Sequence, residues 1–149
     1  MAVVTAHVYA QFLKALVSGS YSLNWATAPI EVMLLTSSYV PDQDNHQFLS
    51  DVELYEVSGT GYTAGGQALA NKTVSYDAVS NVVVLDADDV SWPASTITAR
   101  YAVIYDNTGV SSSEKRLLGY VDFGQDVSSS AGDFRIIWDS SGIFRISVQ

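Results

Sequence analysis

The chain has 149 residues, no cysteine and a formal net charge of −9, from seven basic and 16 acidic residues. Binding to phosphate backbones requires clustered Lys and Arg, so this charge balance argues against nucleic acid as a partner. The lack of cysteine excludes disulfides and thiolate chemistry. No apolar run approaches the roughly 18 residues of a membrane span, and no signal segment precedes the first element. We therefore predict one domain over residues 1–149, made in the cytoplasm, with no membrane partner.

The first element predicted is a short N-terminal helix over residues 5–18. Thr5 can cap its start, and Gly19 can take the left-handed conformation that ends it. The apolar residues recur at i, i+3, i+4, i+7 and i+8, and they are Tyr9, Phe12, Leu13, Leu16 and Val17. This stripe predicts that the helix packs on a sheet or on a neighbouring subunit.

Most of the remaining chain has the two-residue period of β-strands, with turn residues between the runs. The predicted strands are residues 21–25, 30–37, 53–57, 68–76, 82–86, 96–106, 116–123 and 133–139, followed by a last strand after the turn at 140–142. The turn SSG predicts that the last two strands form a hairpin. This count predicts an all-β fold, a β-sandwich or jelly-roll-like barrel with one short N-terminal α-helix.

The clearest strand is TITARYAVIYD, residues 96–106. Its first half alternates apolar and polar residues, whereas Ala102 and Ile104 make both faces of the second half apolar. A strand that is apolar on both faces is covered on both sides. We therefore predict a central strand around which the others pack.

Two loops break the strand pattern. Residues 38–52 are rich in turn residues, with a short helical turn predicted near Phe48 and Leu49. The segment SGTGYTAGGQ, residues 58–67, contains four glycines, which indicates left-handed or closely approaching backbone. It lacks the lysine and the following helix of a phosphate-binding loop, so we predict a defined structural loop.

Two histidines are the only imidazoles available for catalysis or metal binding. His7 lies in the predicted helix, where a packed or exposed ring is the ordinary explanation. His46 lies near Asp42 and Asp44, so a metal or acid–base site is one interpretation. No second histidine lies at ligand spacing, and the segment does not match a calcium-binding EF-hand loop, so a solvated loop histidine is favoured.

Acidic and aromatic residues offer two further sites, each with a simpler alternative. Asp86, Asp88 and Asp89 suit calcium or the paired carboxylates of glycoside hydrolysis, but a turn closed by Asp side chains is favoured. The tryptophans and nine tyrosines suit a carbohydrate platform, but a core or subunit interface is favoured; the tryptophans are Trp25, Trp92 and Trp138. We predict no enzyme, and no catalytic, cofactor or metal site.

Several long strings carry a family resemblance: VMLLTSSYVPDQDNHQFLSDV, EVSGTGYTAGGQAL, NKTV, DADDVSWPASTITARYAVIYD and LLGYVDFGQDVSSSAGDFRIIWDSSGIFRI. Together they cover most of residues 30–146, and the chain resembles a family of small tailed-bacteriophage virion proteins. The resemblance implies a structural protein with a β-sandwich body, a capsid decoration or cement protein that binds the outer surface of the shell. The alternative is a tail or baseplate component, including a host-receptor-binding domain.

The resemblance also implies partners and a location. The expected partners are the major capsid protein and further copies of this chain, as a homotrimer or a homodimer, on the capsid surface of the virion. Apolar and aromatic side chains are the natural candidates for these interfaces, and those predicted are Tyr9, Phe12, Leu16, Tyr62 and Trp92. No cofactor is expected.

Overall fold

A computed structural model describes residues 3–148 of the chain. These residues form one α-helix, α1 (Ala10–Ser18), and ten strands. The strands are β1 (Thr5–Val8), β2 (Ile30–Leu35), β3 (Gln67–Ala68), β4 (Thr73–Asp77), β5 (Val82–Asp86), β6 (Val90–Ser95), β7 (Thr98–Asp106), β8 (Leu117–Ser128), β9 (Gly132–Ile136) and β10 (Phe144–Ser147). The prediction of an all-β fold with a single short helix is confirmed.

The strands form three antiparallel sheets. The largest has the order β1-β8-β7-β2-β3, and the smaller ones are β10-β5-β4 and β6-β9. β7 lies in the middle of the large sheet, and its residues 101–106 are all buried. The predicted central strand is therefore confirmed, including the cover on both faces of its second half.

The two smaller sheets pack against β8 of the large sheet. The ring of Phe144 in β10 lies 3.0 Å from the position that a Cβ would take on Gly119 of β8. Phe134 of β9 packs on Phe123 of β8 with ring centroids 6.0 Å apart. Buried residues of all three sheets join one hydrophobic cluster, so the layers form a sandwich-like body.

The predicted start of the helix is wrong, whereas its end is correct. Thr5 does not cap a helix but begins β1, which pairs with β8, so tertiary pairing overrides the helical pattern. The helix begins after Tyr9 and ends at Gly19, which is left-handed with φ of 78°. Only Phe12 and Ala15 of α1 are buried. Of the other predicted stripe residues, Tyr9 lies just before α1 and is buried, Leu16 is partly buried, and Leu13 and Val17 are 44% and 87% exposed.

Four other strand predictions are wrong in part or in whole. Residues 21–25 form no strand, and residues 53–55 form a 3₁₀ turn in place of extended chain. Residues 68–76 divide into the end of β3 and most of β4. The last strand, β10, pairs with β5 and not with β9, because Phe144 and Ile146 lie opposite Leu85 and Val83 and extend the apolar contacts of that sheet.

Candidate functional site

An open cavity of about 610 Å³ lies between the layers of the sandwich. Ile104 of β7 and Val121 and Phe123 of β8 line it, together with β1 on one side and residues 135–139 and 142–145 on the other. Its lining is mainly aliphatic and aromatic, and its volume lies in the range typical of ligand sites. We call this cavity the interlayer cleft.

The cleft is open because β1 is the edge strand of the large sheet. Among residues 3–148, β1 pairs with β8 alone, and every residue from Val4 to Val8 borders the cleft. Side chains on a strand alternate between its faces, so a consecutive run of lining residues means that the strand edge itself borders the cavity. An incoming segment therefore meets apolar side chains and an unpaired strand edge together.

The wall opposite β1 is ordered by the acidic group that the sequence analysis singled out. The Asp89 carboxylate accepts hydrogen bonds from Arg135 Nη2 at 3.1 Å and from the Trp138 backbone N–H at 3.0 Å. The Trp138 indole N–H donates to the Asp88 carbonyl oxygen at 3.0 Å. The sequence favoured a turn closed by local Asp hydrogen bonds, whereas the Asp89 carboxylate bonds to Arg135 and Trp138, which are more than 40 residues away. These long-range hydrogen bonds hold the wall in place.

The end of this wall is closed by a tight turn. The Asp139 carboxylate accepts hydrogen bonds from the backbone N–H and the hydroxyl of Ser141, at 2.8 and 2.6 Å. These donors stabilise the charged form and lower the pKa of Asp139. Arg135 and Arg145 also border the cleft, which places two of the seven basic residues of an acidic chain beside one apolar cavity.

The residues predicted to form interfaces fall into two groups: Tyr9, Phe12 and Leu16 lie at or on α1, and the rings of Tyr62 and Trp92 stack with centroids 5.9 Å apart. Tyr9 and Trp92 are 0% exposed and Phe12 is 5% exposed, so these three side chains fill the protein's own core. Leu16 and Tyr62 are only partly buried, and they lie on different elements. The interface as a whole stays a prediction, but Tyr9, Phe12 and Trp92 offer almost no surface to a partner in this fold.

His46 belongs to a chain of hydroxyl contacts. Its Nδ1 lies 2.9 Å from the Tyr39 hydroxyl, which in turn lies 2.8 Å from the Tyr9 hydroxyl. Burial raises the pKa of Tyr39 to about 12, and Asp42 accepts hydrogen bonds from Asn45 that lower the pKa of its carboxyl. Within residues 3–148, no group of three or more acidic or histidine side chains is placed to hold a metal ion.

The glycine-rich loop contains a polar cluster that the sequence analysis missed. The Glu56 carboxylate accepts hydrogen bonds from the Tyr62 hydroxyl at 2.8 Å and from the Gly65 backbone N–H at 2.6 Å. The Tyr105 hydroxyl lies within 2.8 Å of both Glu31 and the Gly65 carbonyl oxygen. The cluster ties the loop to β2 and β7, and burial raises the pKa of both tyrosines. Its members lie far apart in sequence, so no local sequence motif predicts it.

No protein-family model, curated protein or solved structure matches this chain. In the part of the chain that the structure describes, no helix has the length and hydropathy needed to cross a bilayer.

Proposed function

We propose that this chain is a structural protein of a tailed-bacteriophage virion, a capsid decoration or cement protein. In this role it binds the outer surface of the major capsid shell and stabilises it, and it performs no catalysis. The observation that carries the proposal is the interlayer cleft, which combines an apolar lining with an unpaired strand edge. The motif resemblance over residues 30–146 supplies the class of particle.

The cleft suits an extended segment of a shell protein. A segment that runs along β1 would add backbone hydrogen bonds to its free edge and insert alternate side chains between the layers. The exposed residues of β1 are small or polar, Thr5 and Ala6, so they leave room for these side chains. Many copies on a closed shell would add individually modest contacts by multivalency.

The rigid wall of the cleft also suits a cementing role. A binding site loses less affinity to ordering when its walls are already fixed in the free protein. Here the Asp89 contacts to Arg135 and Trp138 fix one wall, and the pairing of β1 with β8 fixes the other. The protein would therefore bind without first folding a loop.

A second candidate function is a tail or baseplate component that binds host glycans. Trp138 favours it, because this half-buried side chain borders the open cleft beside Asp139 and two arginines. Aromatic faces combined with polar groups are suited to sugars. Trp25 and Trp92 favour the structural role, because both are buried in the core.

Immunogold electron microscopy of intact phage particles tests the proposal. Antibody raised against the purified chain should label the heads over their whole surface. Label confined to the tail would overturn the decoration role and support the second candidate. Mass spectrometry of the same purified particles provides the control for masked epitopes, and absence of the chain from them would overturn both.

A further inference from the structure

The strand β4 (Thr73–Asp77) presents a free edge to solvent. Within the part of the chain that the structure describes, β4 pairs with β5 alone in the order β10-β5-β4, and all five of its residues are exposed. Val74 and Tyr76 are 54% and 55% exposed, although both belong to the residue types that favour strands. Edge strands of this kind are templates for pairing with another chain.

The hydrogen-bond register shows which backbone groups point outwards. Val148 lies opposite Asn81 by extension of the β5–β10 register, and its N–H donates to the Asn81 carbonyl oxygen at 2.8 Å. Successive residues of a strand direct their backbone groups to opposite sides, so odd-numbered residues of β5 face β10 and even-numbered ones face β4. Their partners in β4 are Thr73, Ser75 and Asp77. Val74 and Tyr76 therefore direct their N–H and C=O groups to the free edge.

We propose that β4 pairs antiparallel with β4 of a second copy, around a two-fold axis at Ser75. In this register Val74 faces the partner's Tyr76, and Tyr76 faces the partner's Val74. Both pairs occupy hydrogen-bonded positions, so each exchanges two N–H···O bonds. The two three-stranded sheets become one sheet of six strands.

The sequence of β4 is complementary to itself in this register. The two outward pairs each join a β-branched and an aromatic side chain, which is a favourable cross-strand combination. Asp77, the only charged residue of the strand, faces the partner's Thr73 and not a second carboxylate. Other two-fold registers shorten the overlap, whereas the axis at Ser75 pairs all five residues. A second copy thus satisfies every outward group of β4.

The size of the contact predicts weak association in free solution. Five paired residues span about 17 Å, and a sheet is about 10 Å thick, so the two copies together cover roughly 350 Å². Stable interfaces bury about 1,200 Å² or more. The dimer is therefore concentration-dependent when free and becomes populated where many copies are held close together.

Cysteine cross-linking tests the register, because the natural chain has no cysteine. Ser75→Cys places two thiols in a non-hydrogen-bonded pair with Cα atoms about 4.5 Å apart, within the range for a disulfide. Thr73→Cys is the matched control on the same face of the same strand. Its two thiols lie four residues apart along the pair, about 13 Å, which is too far for a bond.

Each variant is oxidised at the same protein concentration, and dimer formation is followed on non-reducing gels. Ser75→Cys should form dimer about tenfold faster than Thr73→Cys, because pairing raises the local thiol concentration. Adding Val74→Lys and Tyr76→Lys to Ser75→Cys should remove this advantage, while circular dichroism confirms that the fold is retained. Equal rates for Ser75→Cys and Thr73→Cys would overturn the proposal. The test uses free protein, so its failure leaves the virion proposal unaffected.

Discussion

Gly66 is the position where one methyl group should damage the fold most. Its φ is +88°, and an added Cβ would lie 1.8 Å from the Val32 carbonyl oxygen and 2.9 Å from the Met33 Cα. These are backbone atoms of β2, so no side-chain rotation relieves the clash. Gly66→Ala must therefore push the chain before β3 away from β2 and weaken the pairing of Val32 with Gln67.

The cost follows from these contacts. A left-handed non-glycine residue costs about 1–2 kcal/mol, and loss of two backbone hydrogen bonds of the β2–β3 pair adds about 2 kcal/mol. Gly66→Ala should thus lower the free energy of unfolding by about 3–4 kcal/mol. Gly19→Ala is the matched control, because Gly19 has a similar φ of +78° but no atom within 4 Å of the added Cβ. It should lose only the about 1–2 kcal/mol of the backbone conformation.

Urea denaturation followed by tryptophan fluorescence measures both variants against the natural chain. The comparison requires equal slopes of the unfolding free energy against urea, which show that the unfolded states are equivalent. Equal losses for Gly66→Ala and Gly19→Ala would contradict a backbone clash at Gly66, since only the close approach to β2 distinguishes the two sites.

Three other predictions concern titration and the cleft wall. Arg100 donates to Asp122 at 2.8 Å and lowers the pKa of that carboxyl. The stability gained from this ion pair is present above about pH 4 and is lost as pH falls through the lowered pKa of Asp122 in the folded state. In Asp122→Asn, the free energy of unfolding should therefore fall less steeply as the pH is lowered below about 4. Burial raises the pKa of Tyr39 to about 12. The stability that follows from this shift is fully present below about pH 10 and is lost as pH rises towards 12, so Tyr39→Phe should reduce the loss of folded protein at alkaline pH, measured by circular dichroism. Asp89→Ala removes the acceptor of the Trp138 N–H, so acrylamide should quench Trp138 more strongly, and unchanged quenching would contradict the assigned role of Asp89.

The core strands could be predicted because their signal is local. Residues 82–86 form β5 with the predicted bounds, and the doubly apolar half of β7 lies in the middle of the large sheet. Gly19 ends the helix as predicted, since a glycine in the left-handed conformation needs no distant partner. In each case the residues themselves determine the outcome.

The misplaced elements depend on partners that are distant in sequence. Thr5 begins a strand because β8, more than 100 residues later, pairs with it. Phe144 belongs to β10 because Leu85 lies opposite it, although the turn at 140–142 predicted a hairpin with β9. The cleft could not be predicted for the same reason: β1, β8 and the segment after β9 meet only in the folded sandwich.

Amino-acid composition alone does not distinguish interface residues from core residues. An aromatic side chain has the same chemistry in a core and at an interface. Tyr9 and Trp92 lie in the core, whereas Val74 and Tyr76 are exposed at a free edge. Only the strand order separates these cases.

The most direct test of the proposed function is co-sedimentation of purified protein with phage heads assembled without it. The natural chain and Val17→Glu, a control on the exposed side of α1, should bind to a saturating number of copies per head. Ala6→Glu adds a carboxylate to the exposed β1 side of the cleft and should weaken binding about tenfold or more, since burying an unpaired charge is costly. No saturable binding by the natural chain, or equal binding by Ala6→Glu, would contradict attachment to the shell through the cleft.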